Sequence, residues 1–142
     1  IAELAVKLAV QHHQYDSRWF TLLYDEEQAA GFYGKRVEAS DSAVLVAEKS
    51  GKVIGFAFIE YEEINYPDWL EKAAWLHDIY IEESARDLKV GKLLIAAAVK
   101  AAKDLGADKL MLSAAAKNKY AQEFFERNGF AATMVEMMLD LN

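Results

Sequence analysis

A basic loop between a predicted strand and a predicted helix is the segment best suited to chemistry. The run Ile79–Ile81 is β-branched and aromatic, as strands prefer, and apolar residues recur at helical spacing after Gly91. Between them lie Arg86, Lys89 and Lys92. A helix N-terminus presents unpaired N–H groups and a positive dipole end, so the dipole gives no reason for basic residues there. The loop is therefore a candidate phosphate-binding site.

His77 and Asp78 are the first candidates for acid–base chemistry, because they lie in the strand that leads to the loop. Adjacent strand residues face opposite sides, so we expect His77 to share a face with Ile79 and Ile81, and Asp78 with Tyr80. A histidine titrates near neutrality and can accept a proton from an amine. The alternative is a buried histidine bonded to backbone at a sheet edge.

Three glutamates end the preceding predicted strand. Glu60 and Glu62 share a face, and either can bind a cationic substrate or hold a water that acts as base. Glu63 is interpreted as a solvated strand end. The aromatic segment 12–20, with Tyr66, Trp69 and two histidines within the segment, is a further candidate for lining an acceptor pocket.

Composition limits the class of protein. The 142 residues predict a single domain, residues 1–142, and a 54% hydrophobic fraction can fill a core. The chain has no cysteine, which excludes disulfides, thiolate metal sites and a cysteine nucleophile. No facing metal ligands are evident, so no metal is expected. A net charge of −7 argues against nucleic-acid binding and suits a cationic substrate, although it also simply aids solubility.

No apolar run of transmembrane length and no signal peptide is evident, so we expect a cytoplasmic protein without a membrane partner. The sequence leaves a homodimer open. The order of predicted elements indicates an α/β (α+β) fold, a mixed, mostly antiparallel sheet with helices on both faces. The predicted helices span residues 1–14, 17–38, 90–105 and 118–128, and the predicted strands span 43–49, 53–62, 74–81, 109–114 and 133–140.

Several local signals set the expected ends of these elements. Ser17 is the expected cap of the second helix, and two glycines within that helix predict an early end or a kink. Gly106 and Gly129 are expected to close the third and fourth helices. The apolar stripe predicted for the third helix consists of Leu93, Leu94, Ala97 and Ala98.

Two motifs resemble those of the GNAT N-acetyltransferases. Arg86-Asp87-Leu88-Lys89-Val90-Gly91 resembles the acyl-CoA-binding pattern Arg/Gln-x-x-Gly-x-Gly/Ala, with Lys89 at the middle glycine. The segment from Asn118 to Phe130 resembles the late helix Asn-x-x-Ala-x-x-Phe-Tyr-x-x-x-Gly-Phe, with Phe125 at the tyrosine. With the strands before them, the motifs cover roughly the last two thirds of the chain.

The resemblance implies acetyl-CoA as co-substrate, lying between splayed strands 74–81 and 109–114, and direct acetyl transfer to a primary amine of a small molecule. In polyamine-type members the corresponding strand resembles Leu-Glu-Asp-x-Tyr/Phe-Val with the glutamate as base, and His77 occupies that place. The candidate catalytic residues are His77, whose place the resemblance marks, and Asp78 and Glu60, which are candidates from their positions in the predicted strands. The implied acetyl-CoA contacts are Ile79, Tyr80 and Ile81, whose backbone can polarise the thioester, and Arg86, Asp87, Leu88, Lys89, Val90, Gly91, Lys92, Asn118, Ala121 and Phe125.

Departures from the family pattern leave more than one interpretation of the protein's function and of single residues. Phe125 cannot donate a proton to the leaving thiolate, so the thiolate leaves unprotonated or through water, or the protein is an acyl-CoA-binding sensor without catalysis. A protein or peptide N-acetyltransferase is a third interpretation. Lys89 fits the loop if its φ is negative, and Asn118 either contacts the pantetheine arm or caps a helix. The family's opening strand is missing or lies outside this sequence.

Overall fold

The computed structural model describes residues 1–22 and 24–141, with backbone only for Asp87 and Leu88. The elements are α1 (Ala2–Tyr15), α2 (Glu26–Glu38), β1 (Ser42–Lys49), β2 (Lys52–Asn65), β3 (Leu70–Ile81), a 3₁₀ turn (Glu83–Leu88), α3 (Val90–Asp104), β4 (Lys109–Met111) and α4 (Lys119–Arg127). Within the described chain the sheet order is β1-β2-β3-β4. The first three strands are antiparallel and β4 is parallel to β3, which confirms the mixed, mostly antiparallel α+β fold.

Helices cover both faces of this sheet, as predicted. Ile59 of β2 is fully buried on the face that carries α3 and α4. Phe56 of the same strand is fully buried on the opposite face, against α1 and α2. Burying a side chain of this size contributes about 1.5–3 kcal/mol. Because strand side chains alternate in direction, β2 supplies both cores at once.

The predicted apolar stripe of α3 is partly wrong. Leu93 is 68% exposed and Ala97 is exposed, whereas Leu94, Ile95 and Ala98 are buried. The helix is apolar around much of its circumference, so periodicity alone does not determine which face meets the sheet.

Helix ends follow local hydrogen-bonding chemistry. Asp25, not Ser17, caps α2: its side chain accepts from the Gln28 N–H at 2.9 Å, and the Gln28 side chain accepts from the Asp25 N–H at 3.0 Å. This capping box starts the helix at Glu26, and the helix then continues to Glu38 without an early end. Gly106 and Gly129, each with φ of 93°, follow α3 and α4 as predicted.

The chain beyond α4 differs most from expectation. The predicted strand 133–140 is wrong, because residues 131–141 have no regular structure and every one is exposed. β4 is also shorter than the predicted 109–114. A strand needs a neighbour for its backbone groups, and no strand of the described chain pairs with this segment.

None of the helices in residues 1–22 and 24–141 has the length and apolar character needed to cross a bilayer. In the same residues, no three histidine or acidic side chains gather in a way that would hold a metal ion.

Candidate functional site

A β-bulge in β3 determines the orientation of His77. Phe58 of β2 pairs with Asp78, but the next residue, Ile59, pairs with Leu76. His77 is therefore the extra residue on β3 and has no partner in this register. A bulge of this kind interrupts the alternation of side chains along a strand.

The predicted face of His77 is wrong for this reason. Its ring stacks on Phe58, with centroids 5.4 Å apart and planes 26° apart, so it lies on the α1/α2 side of the sheet. Asp78 lies on the same side, whereas Ile79 and Ile81 pack against the core beneath α3. The bulge thus brings two adjacent titratable residues to one face.

These residues open onto a cavity of about 510 Å³ between α2 and the sheet, called here the acceptor cavity. Its lining consists of Tyr24, Gln28, Ala29, Phe32, Tyr33, Phe58, Glu60, His77 and Asp78. All three predicted acid–base residues therefore converge. The segment 12–20 does not line this cavity, and Tyr66 and Trp69 line a separate surface depression at the β2–β3 turn.

Glu60 joins His77 to a residue that the sequence did not single out. One carboxylate oxygen of Glu60 lies 3.6 Å from His77 Nε2, and the other accepts a hydrogen bond from Arg36 of α2. The Arg36 guanidinium also lies over the Phe58 ring, 5.6 Å from its centroid. A basic residue in the last turn of a helix is expected on dipole grounds alone, so no separate sequence signal points to this role of Arg36.

Asp78 is half-buried in the lining of the acceptor cavity. The Tyr33 hydroxyl donates to Asp78 Oδ2 at 2.8 Å. Burial raises the pKa of Asp78, while the Tyr33 hydrogen bond and the His77 charge lower it by less. Burial and the Asp78 charge raise the pKa of Tyr33, so Tyr33 remains a donor to the carboxylate.

The start of α3 follows a residue in the left-handed region. Lys89 has φ 59° and ψ 14°, so the negative φ on which the fit of a lysine depended is not found. This is the position where the resembling motif has glycine, which adopts such a φ without steric cost. Lys89 makes no side-chain cap, and the first turn from Val90 carries no acidic residue. Arg86 is held at the end of β3, where its Nε donates to the Ile81 carbonyl at 3.2 Å and its guanidinium lies over Tyr80.

A gap between β3 and β4 lies beside this helix start. Their pairing ends at Trp75 and Met111, although β3 continues to Ile81. Gly91 is buried in the first turn of α3, where an added Cβ would lie 2.9 Å from Phe124 Cζ and 3.2 Å from Ile81 Cδ1. Lys92, one residue on, is exposed. The predicted side-chain roles of Asp87 and Leu88 lie outside the described residues.

The late helix contributes to the core under α3. Asn118 caps α4, since its side chain accepts from the Ala121 N–H at 3.1 Å, which confirms the capping alternative. Phe125 is buried between Phe124 and Phe130, with ring centroids 5.5 and 5.7 Å away. Its role at the coenzyme stays a prediction.

Comparison with known proteins identifies the family. A sequence model of the acetyltransferase (GNAT) family matches residues 5–130. The uncharacterized N-acetyltransferase YhfO of Bacillus subtilis (strain 168) is 28% identical over 130 residues, which cover 89% of this chain and 83% of that protein.

Solved structures show the same fold. A mutant of the BH1408 protein from Bacillus halodurans has a TM-score of 0.84 at 19% identity, and the match covers 100% of this chain and 92% of that protein's chain. The aminoglycoside N-acetyltransferase AAC(6′)-Iy, in complex with the bisubstrate analogue CoA-S-monomethyl-acetylneamine, has a TM-score of 0.75 at 19% identity, covering 96% and 93%. Since the family match extends over most of the chain and includes both motifs, the chain belongs to the GNAT family of acetyltransferases.

Proposed function

We propose that this acetyltransferase moves an acetyl group from acetyl-CoA to the primary amine of a small molecule held in the acceptor cavity. The observation that carries the proposal is the convergence of His77, Asp78 and Glu60 on one cavity. The cavity volume of about 510 Å³ suits a small ligand. A protein N-terminus or lysine is the competing acceptor.

The lining favours an amine that carries an apolar or aromatic portion. Tyr24, Phe32, Tyr33 and Phe58 supply aromatic walls, and aromatic faces attract cations as well as apolar groups. Asp78 adds a half-buried carboxylate to the lining, where it attracts an ammonium group. The walls and the acid together match a molecule with one charged end and one flat or apolar end.

His77 is proposed to accept the proton of the incoming ammonium group. Its imidazole is partly exposed, so it can pass the proton to solvent, and Glu60 at 3.6 Å stabilises the charged ring. The pairing with Arg36 holds Glu60 in place. The neutral amine then attacks the thioester carbonyl carbon, a C–N bond forms, the C–S bond breaks, and the thiolate leaves. The nitrogen, which is positively charged after the attack, releases its extra proton to water or to the departing thiolate, and the neutral amide results. Phe125 offers no proton, and the thiolate departs unprotonated or takes a proton from that nitrogen or from water.

The start of α3 and the adjacent gap are proposed to hold acetyl-CoA. A helix start without an acidic residue in its first turn suits a pyrophosphate, and exposed Lys89 and Lys92 add positive charge. The separation of β3 from β4 beyond Trp75 leaves room for an extended arm. These features fit the coenzyme without any metal.

Thiol release from acetyl-CoA tests the proposed function. The acceptors are an arylalkylamine, an aliphatic diamine, an aminoglycoside, and peptides with either a free N-terminus or a lysine. We expect the arylalkylamine to react fastest, and acetyl-CoA without acceptor gives the background rate. Turnover with peptides alone would favour the protein-modifying alternative. Coenzyme A binding without thiol release for any acceptor would favour the sensor alternative.

A further inference from the structure

Two aromatic rings lie nearly parallel to the imidazole of His77. One is Phe58 of β2, described above. The other is Trp75, two residues earlier in β3, with ring centroids 6.4 Å apart and planes 21° apart. Offset stacks of aromatic rings have centroids about 4.5–7 Å apart. Trp75 is not among the residues that line the acceptor cavity, so its contact with the site runs through His77.

The backbone of Trp75 is held on both sides, whereas that of His77 is not. Trp75 pairs with Glu60 of β2 and with Met111 of β4. His77 is the extra residue of the bulge and lies beyond the last pair of β3 with β4, so no strand of the described chain pairs with it on either side. A bulged residue lacks the ladder that fixes the direction of its neighbours. The orientation of the imidazole therefore depends on side-chain contacts.

Trp75 also shares a face of the sheet with Glu60 and His77. Its neighbours Ala74 and Leu76 pack in the core beneath α3, so Trp75 points to the opposite face, toward α1 and α2. Directly opposite residues of antiparallel strands have Cβ atoms about 4.5–5.5 Å apart on one face, and Trp75 lies opposite Glu60. The indole thus stands beside the carboxylate that lies 3.6 Å from His77 Nε2.

The indole nitrogen of Trp75 is buried, and no described residue accepts a hydrogen bond from it. A buried indole N–H usually has a partner, and leaving it unpaired costs about 1–3 kcal/mol. Hydrogen bonding therefore does not account for the position of this ring, and its flat contact with the imidazole remains. A phenylalanine in its place would keep a flat ring and remove the unpaired donor.

We propose that Trp75 is a positioning residue, which holds the imidazole of His77 in the plane from which Nε2 meets Glu60 and the incoming amine. Without the indole, the imidazole can turn about its side-chain bonds, because its backbone is unpaired and only Phe58 still stacks on it. The inference rests on the proposed role of His77 as proton acceptor. Since Trp75 acts on the base and does not line the acceptor cavity, its loss should affect kcat and not the KM for the amine.

Steady-state kinetics gives the first test. Trp75→Leu should lower kcat by about 10–10²-fold, the scale expected for a misplaced catalytic group, with little change in the KM for the amine. Trp75→Phe should retain most of the activity. Trp69→Leu is the matched control, because its indole is 92% exposed at the β2–β3 turn, and it should have normal kcat. Urea unfolding checks that each variant is folded in the assay. Normal kcat in Trp75→Leu, or an equal loss in Trp75→Phe, would overturn the proposal.

A double variant separates an effect through His77 from a general effect on the structure. If Trp75 acts through the imidazole, Trp75→Leu/His77→Gln should be no slower than His77→Gln alone, because residues that act as a unit give non-additive losses. Losses that multiply in the double variant would overturn the proposal.

Proton NMR of the free protein tests the positioning without any substrate. The chain has three histidines, and the ring signals missing from His77→Gln identify those of His77. Because aromatic rings shift the signals of protons stacked on them, Trp75→Leu should move the His77 signals and leave those of His12 and His13 in place, and Trp75→Phe should move them less. An active His77→Gln enzyme would refute the proposed base, and this comparison would then decide the positioning by itself. Unmoved His77 signals in Trp75→Leu would overturn the positioning.

Discussion

Gly91 and Phe124 are in contact closely enough that no side chain fits between them: a Cβ on Gly91 would lie 2.9 Å from Phe124 Cζ and 3.1 Å from Cε2. Gly91, the last position of the motif that resembles the acyl-CoA-binding pattern, is thus a packing residue between α3 and α4. Substitution at Gly91 would disturb that contact whether or not a phosphate is bound, so it is a poor probe of the coenzyme site.

Gly91→Ala should lower the free energy of unfolding by about 1–3 kcal/mol, the usual cost of overpacking. Gly34→Ala in α2 is the control, because nothing lies within 4 Å of its added Cβ; it should stabilise by roughly 0.5–1 kcal/mol. Urea unfolding measures both. The double variant Gly91→Ala/Phe124→Leu should recover part of the loss, and additive losses would refute the contact as its cause.

Lys89→Gly should stabilise the protein by about 0.5–1 kcal/mol, because the left-handed conformation costs a lysine more than a glycine. Lys92→Gly is the matched control, because it also replaces a lysine by glycine but at a position with helical backbone in the first turn of α3. It should instead destabilise by roughly 1 kcal/mol. Opposite shifts in thermal midpoint are expected, and equal losses would show that the Lys89 side chain matters more than its backbone.

Lys92→Glu should weaken coenzyme A binding, since it places a negative charge where a pyrophosphate is proposed to bind. Lys103→Glu makes the same change in the last turn of this helix, away from the proposed site, and should leave affinity unchanged. Calorimetric titration measures both. Equal dissociation constants for Lys92→Glu and the unaltered protein would remove the pyrophosphate from this loop.

His77→Gln should lower kcat/KM by about 10²–10⁴-fold if the imidazole is the general base. The pH dependence of kcat/KM should also change, because the group proposed to accept the proton is removed. Glu60→Gln should cause a smaller loss and keep the pH dependence of the unaltered protein. An unchanged pH profile in His77→Gln would reassign the base to Asp78, Glu60 or water.

Asp78→Asn should become relatively more stable than the unaltered protein as pH rises. Burial raises the pKa of Asp78 above its ordinary 3.8, so the folded state holds this proton more tightly than the unfolded state. The free energy of unfolding of the unaltered protein therefore falls as pH rises from the pKa of Asp78 in the unfolded state to its pKa in the folded state. Urea unfolding between about pH 4 and 7 measures the difference, and parallel stability curves would contradict it.

The order of elements could be predicted because it depends on local patterns. Alternating and helical spacing located β1 to β4 and all four helices, although several ends moved by a few residues or more. Asn118, Gly106 and Gly129 behaved as predicted, since a cap or a left-handed closing residue depends on a few neighbouring backbone groups. The predicted start of α2 was wrong because Ser17 and Asp25 are both good capping residues. The feature that separates them is Gln28, which lies three residues after Asp25 and completes a capping box.

The sequence by itself determined the fold class and the family. Both depend on two motifs that lie at the expected distance from each other and on the expected elements. The tertiary structure alone decided which groups meet. Pairing between β2 and β3 introduced the bulge that turned His77 toward Asp78, and packing of α2 on the sheet brought Arg36 to Glu60. Strand register and helix packing depend on partners distant in sequence, and period-two or period-3.6 patterns carry no information about those partners. The C-terminal segment follows the same rule, because an alternating pattern forms a strand only where another strand pairs with it.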